Sequence, residues 1–368
     1  MATKQRNTTV ELARFLFSLL VIGYHIQMTF SVGTQFFEQG ALAVEFFFLI
    51  SGFFFAKSID KINSQGIGFI KGSYSIMKGK IKGIFPTHIV AIIAVIIVIL
   101  SCNLANAGKI IVDGIPSIFL VHLAECWDGS FNKALIVPEW YLSAMLVCLL
   151  FMTPIALLLR KKLNGVWIPL ILIGVLGVII IIAGLSTNWN IFAANNFLYD
   201  LRAWGEMCVG MFAYHLANVL AKKEHNEKSK IALPILEIFL YLAPIIMGFV
   251  PIPESGMGAC MGVTVVCVFF AMSLTFGNKG LKIEKENVNK VFAFLGSISL
   301  AMYLFHPVII TLFEYVWPNV KLWAAHLIIF PATIILAVIY NVIAKTCKAA
   351  IKKAKENKQT LEETKNPS

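Results

Sequence analysis

Few residues of this chain carry a charge. Asp, Glu, Lys and Arg together make up 14% of it, against 58% hydrophobic residues, and the mean hydropathy is +0.79. No soluble globular domain needs that composition. The seven cysteines include no C-x-x-C pair, which argues against a metal site or a disulfide framework. Strict apolar–polar alternation is missing, and with it the signature of a membrane β-barrel. No small-residue cleavage site follows the first apolar run, so that run reads as a retained span rather than a signal peptide. Neither an internal repeat nor a separate soluble domain is visible.

What is present is a succession of apolar runs of about 20 residues, the mark of an all-α polytopic membrane protein. Ten spans are expected, near 10–30, 40–57, 83–102, 139–159, 165–185, 199–220, 231–250, 256–276, 291–312 and 322–345. The net charge of +11 would suggest nucleic acid in a soluble protein. Here its placement explains it better. All of the basic residues but Arg14, Lys109, Lys133, Arg202 and Lys321 fall on one side of a ten-span chain. That bias puts both termini in the cytoplasm. It leaves residues 1–345 as the membrane domain and 346–368 as a basic, solvated tail. The stretch 103–138 reads as an outer loop whose short apolar piece, Ile118–Leu123, lies at the interface.

Polar residues inside spans then become informative, because each is costly there and by default marks function. The first span holds Arg14 and His25. Eleven residues at about 100° each bring both to one helix face, about 16 Å apart along the axis. Either alone could snorkel to a headgroup or bridge two helices; together on one face they favour a site. The second span returns inward with Glu45 near its start, so His25 and Glu45 are expected at similar depth. There the carboxylate would orient the imidazole as a general base. Lys80 and Lys82 form a basic stretch before the third span, suited to anionic lipid or to phosphate. Trp140 and Ser143 open the fourth span, Arg202 and Glu206 stand one turn apart in the sixth, and His306 lies in the ninth. The outer half thus collects His25, Glu45, Arg202, Glu206 and His306.

Taken in order, these residues resemble acyltransferase family 3, the bacterial integral-membrane O-acyltransferases. The carriers are the R-x10-H pattern at Arg14 and His25 and Val44-Glu-Phe-Phe-Phe-Leu-Ile-Ser-Gly-Phe53. With them stand the basic stretch ending in Pro86, Trp140-Tyr-Leu-Ser143, Arg202 with Glu206 and Gly210, and Ser299-Leu-Ala-Met-Tyr-Leu-Phe-His306-Pro307. Two features depart from the family pattern: lysines where arginines are common before Pro86, and Ala144-Met-Leu146 where Val-Glu-Glu is frequent. The resemblance implies transfer of an acetyl group from acetyl-CoA to a hydroxyl of an exported glycan or lipid-linked saccharide, with no resident cofactor. His25 would be catalytic, as base or as acyl carrier, with Glu45 beside it. Arg14, Lys80 and Lys82 would hold the donor, and Trp140, Ser143, Arg202, Glu206 and His306 the acceptor. The setting would be the bacterial cell membrane, with lipids but not nucleic acid as partners. The rival class is a secondary transporter or flippase of a saccharide, which predicts an internal repeat that the sequence lacks.

Overall fold

The computed structural model describes residues 7–31, 36–120, 134–159, 196–224, 226–251 and 256–365. Among these residues the chain is helical and contains no strand. The helices are α1 (Thr8–Phe30), α2 (Ala43–Ser64), α3 (Phe69–Cys102), α4 (Leu104–Asp113), α5 (Ile115–Ile118) and α6 (Trp140–Leu159). After them come α7 (Asn196–Ala221), α8 (Glu227–Met247), α9 (Met257–Phe276), α10 (Glu286–Val316) and α11 (Leu322–Lys365). Eight of them are long and apolar enough to cross a membrane: α1, α2, α3, α6, α8, α9, α10 and α11. The fold is that of an all-α polytopic membrane protein. The α7 helix has the length to span but not the hydropathy, because Asp200, Arg202, Glu206 and His215 interrupt it. The expected span at 165–185 lies outside the described residues.

Local signals set several boundaries. The Asn7 side chain caps α1 by accepting the Val10 N–H at 3.3 Å. Asn226 does the same for α8 from Ser229 at 2.7 Å. Two boundaries differ from expectation. Helix α3 starts at Phe69 rather than near 83, so Lys78, Lys80 and Lys82 ride on the helix instead of leading into it. Pro86 lies inside it, where it removes one hydrogen bond without ending the helix. Helix α11 passes through residue 345 unbroken and reaches Lys365, because the tail is rich in Ala, Lys and Glu, all strong helix formers. The tail expected to be basic and solvated is helix as far as that residue.

Two connections fold back into the bundle. Beyond α1 the chain turns inward, and Phe37, in the left-handed region at φ 67°, packs against Gly23. Gly40 then lies against Leu20 and Tyr24 of α1. Beyond α3, α4 and α5 return along it, so that Ser117 reaches His88. His88 lies fourteen residues, about 21 Å, short of the end of α3. Of the apolar piece expected at the interface, Ile118 is half-buried, Phe119 exposed and Leu120 buried; residues 121–133 lie outside the described residues. Neither return was visible in the apolar pattern.

Helices α2 and α7 touch through their backbones. A Cβ on Gly52 would overlap the Met207 carbonyl, and one on Gly210 would overlap that of Leu49. Such close approach is what small residues permit between membrane helices. It is also what brings the first turn of α2 onto Arg202.

Candidate active site

Helix α1 is the spine of the site, and three groups of polar residues meet it at three heights. At the upper one, His25 Nδ1 lies 2.8 Å from the Val21 carbonyl. A carbonyl only accepts, so Nδ1 carries the hydrogen and Nε2 keeps its lone pair. The His306 ring stands 5.1 Å away, centroid to centroid. Its Nδ1 is 3.3 Å from the Met302 carbonyl, and its buried Nε2 has no partner among the described residues. These two histidines meet because α1 and α10 pack side by side, joined lower down by the Ser18 hydroxyl, 3.4 Å from the Ser299 carbonyl. Tyr303, one turn before His306, donates to the Pro138 carbonyl at 2.5 Å and so ties α10 to the start of α6.

The middle group corrects an expectation. Glu45 does not pair with His25: its carboxylate accepts from Arg202 Nη2. Arg202 Nε donates to Glu206 at 2.9 Å, and the guanidinium lies over the Trp140 ring at 5.7 Å. No hydrogen bond or ion pair links Glu45 to His25 among the described residues. The reason is the inward turn after α1. It starts α2 deeper than an ordinary hairpin would, so that Phe46, beside Glu45, stacks on Phe17 at 4.5 Å. His25 stands eight residues, about 12 Å, farther along α1. Glu45 and Glu206 are fully buried and Arg202 nearly so. One guanidinium faces two carboxylates, so charge balance requires a proton or a second cation. One oxygen of each carboxylate, Oε2 in both, lacks a hydrogen-bond partner among the described residues. Ser143, also fully buried, follows Trp140 by one turn.

At the lower, lysine-rich end opens a cavity of about 840 Å³. Its cations are Arg14, Lys57 and Lys282, and Asn7, Asn278 and Asn289 add amide side chains. Arg14 also pairs with Glu11 at 3.8 Å and lies over the Phe54 ring at 5.6 Å. The α1 N-terminus opens here and contributes its positive dipole end. Lys80 and Lys82 do not line this cavity. Lys82 is exposed on α3, while Lys80 is half-buried and close enough to Arg14 for their charges to repel. Lys57 and Lys282 were missed because they come from segments far apart in sequence.

A second buried pair was also missed. His88 Nδ1 lies 3.7 Å from Glu139 Oε2, both side chains sealed from solvent. His88 Nε2 is 3.0 Å from the Ser117 carbonyl. The signal was available: each is an ionisable residue in or beside an apolar run. The pair fixes the returning segment of α5 against α3 and α6, next to the Pro138 carbonyl that holds Tyr303.

A helical membrane bundle with an anion-attracting cavity at one end and, deeper along the same helix, a histidine that meets a second from a neighbouring helix has the layout of a membrane-embedded group-transfer enzyme. Residues 7–342 match the family described as acyltransferase domain. The chain belongs to that family, and it is an acyltransferase of groups other than amino-acyl groups. No curated protein and no solved structure matches the chain.

Proposed function

We propose that this enzyme moves an acyl group, acetyl in the first instance, from acyl-CoA to a hydroxyl of an exported polysaccharide or its lipid-linked precursor. The observation that carries the reading is the pairing of Arg14 and His25 on α1. Arg14 lines a cavity with two further cations, and His25 keeps a free lone pair beside His306. Three cations at a helix N-terminus suit the phosphates of a coenzyme A nucleotide. The lysine-rich end is then cytoplasmic, and the membrane is that of a bacterial cell. The spacing of about 16 Å along α1 suits an extended pantetheine arm.

His25 Nε2 takes the proton of the acceptor hydroxyl as its oxygen attacks the thioester carbonyl carbon. The C–S bond breaks, and the departing thiolate takes the proton back from the imidazolium. His306 Nε2 is placed to accept a hydrogen bond from the acceptor. The Glu45–Arg202–Glu206 cluster sits between the two stations and shapes the passage rather than orienting His25. Trp140 and Ser143 border that cluster. This chemistry needs no resident cofactor.

The test is incubation of radiolabelled acetyl-CoA with membranes from expressing cells. Label should appear in saccharide with the wild type and not with His25→Ala. Equal labelling by the two would overturn the reading, and so would saccharide export without label.

A further inference from the structure

We infer that Glu237 is a positioning residue for the donor cavity, holding the 277–283 loop that carries Asn278, Leu281 and Lys282 to its wall. The inference rests on the proposed donor reading of that cavity.

Helix α8 is mostly exposed on the outside of the bundle; only 17% of its most apolar window is buried. Its buried residues are Glu237, Tyr241 and Pro244, at the i, i+4, i+7 spacing of one face. A carboxylate on that face, fully buried, is costly unless it is partnered. Glu237 has two partners. The Thr275 hydroxyl, at the end of α9, donates to Oε1, and the Leu281 backbone N–H donates to Oε2 at 2.5 Å. The Tyr241 hydroxyl, 3.2 Å from Thr275 Oγ1, completes the group. One carboxylate thus spans the end of a helix and the loop after it.

The loop is shaped to meet that carboxylate. Helix α9 ends with Asn278 in the left-handed conformation at φ 57°, which asparagine tolerates better than most residues. The Lys279 N–H then closes on the Leu274 carbonyl at 2.9 Å, and that of Gly280 on the same carbonyl at 3.1 Å. Gly280 lies directly against Glu237: a Cβ there would overlap its carboxylate. On the other side Lys279, buried, donates to the Lys223 carbonyl just past α7. The loop is therefore pinned from α7, α8 and α9. The opposite wall of the cavity is supplied by α1 and α2. The anchor on α8, with the Asn289 side chain that donates to the Ile283 carbonyl at 2.9 Å, sets Lys282 relative to Arg14 and Lys57.

The experiment compares Glu237→Leu, Glu237→Gln and Gly280→Ala in the full-length protein, with Arg14→Ala as reference. Glu237→Leu and Gly280→Ala should raise the KM for acetyl-CoA about five- to tenfold, with kcat and the acceptor KM within about twofold of wild type. Glu237→Gln should restore a near-normal donor KM. Its amide oxygen accepts from Leu281 and its NH2 donates to Thr275 Oγ1, whose own hydrogen goes to the Ala271 carbonyl, 2.8 Å away. Amide exchange across 277–283 should accelerate in Glu237→Leu and not in Glu237→Gln. Faster exchange with an unchanged donor KM, while Arg14→Ala still raises it, overturns the proposal and leaves the donor site standing. An unchanged donor KM in Arg14→Ala as well brings down both. Should Glu237→Leu fail to accumulate, Gly280→Ala decides: a normal donor KM in that variant overturns the proposal. A fall in kcat with both KM values unchanged would place Glu237 in the chemistry instead and overturn it too.

Discussion

The Glu45 carboxylate accepts from the Arg202 guanidinium, while His25, on the neighbouring helix, bonds the Val21 carbonyl one turn behind it and no carboxylate among the described residues. The proposed base and the buried acid are therefore separate units, with different consequences when each is changed.

The first consequence appears in pH dependence. A carboxylate bonded to an imidazole would be expected to hold its titration about a unit or more higher. Since no such bond exists here, the acid limb of the kcat/KM profile in Glu45→Gln should stay within about half a unit of wild type. A pH–rate series on the two proteins checks this. A large downward move of that limb would show Glu45 acting through His25.

Arg202 should matter for the fold before it matters for turnover. Removing the one cation strands two buried carboxylates, and breaking a buried pair in this way costs about 3–5 kcal/mol. Arg202→Met should therefore lower yield and thermal stability in detergent. Adding Glu45→Gln and Glu206→Gln should recover most of the loss, since no unpaired charge then remains. Fluorescence-detected size exclusion after a heat step reads both outcomes.

The cavity cations should act on donor binding alone. Lys57→Ala and Lys282→Ala should each raise the acetyl-CoA KM by about three- to tenfold with kcat unchanged. Lys82→Ala, which removes an exposed charge away from the cavity, should leave it unaltered. Added salt should raise the wild-type donor KM and do so less in the double lysine variant, because exposed charges are screened.

The backbone contact of α2 with α7 should tolerate nothing larger than hydrogen. Gly52→Ala and Gly210→Ala each force a Cβ onto a carbonyl, a clash worth about 1–3 kcal/mol. Stability should fall in both, and activity with it, because the same crossing seats Glu45 on Arg202. The heat-step assay that reads Arg202→Met also reads these variants.

Sequence reasoning reached the class of fold and the eight helices long and apolar enough to cross a membrane, because such a run has few other uses. Arg14 and His25 were legible for a related reason: charge inside such a run is conspicuous, and helical periodicity alone puts both on one face. The company each residue keeps was not legible. Glu45 was expected beside His25 on the assumption of a simple hairpin, and the inward turn at Phe37 moved it about 12 Å down the helix. Lys57 and Lys282 look like ordinary lysines at span ends until α9 and its loop are folded against α1. Glu237 could have been flagged as an acid inside an apolar helix, yet one of its two partners is a backbone N–H, which no side-chain pattern encodes.

The early end of α1 leaves His25 close to the end of its own helix. Helix α10 runs ten residues, about 15 Å, beyond His306, and meets α3 where Asn103 bonds Tyr315 at 3.2 Å. Helix α1 stops only five residues past His25, and the chain then turns back toward Gly23. Helix α10 thus outreaches α1 at this end of the bundle. Between the cavity at Arg14 and the imidazole of His25 lies about half the thickness of a hydrocarbon core. On the proposed reading, a donor held at Arg14 and an acceptor met at His25 would have to bridge only that distance.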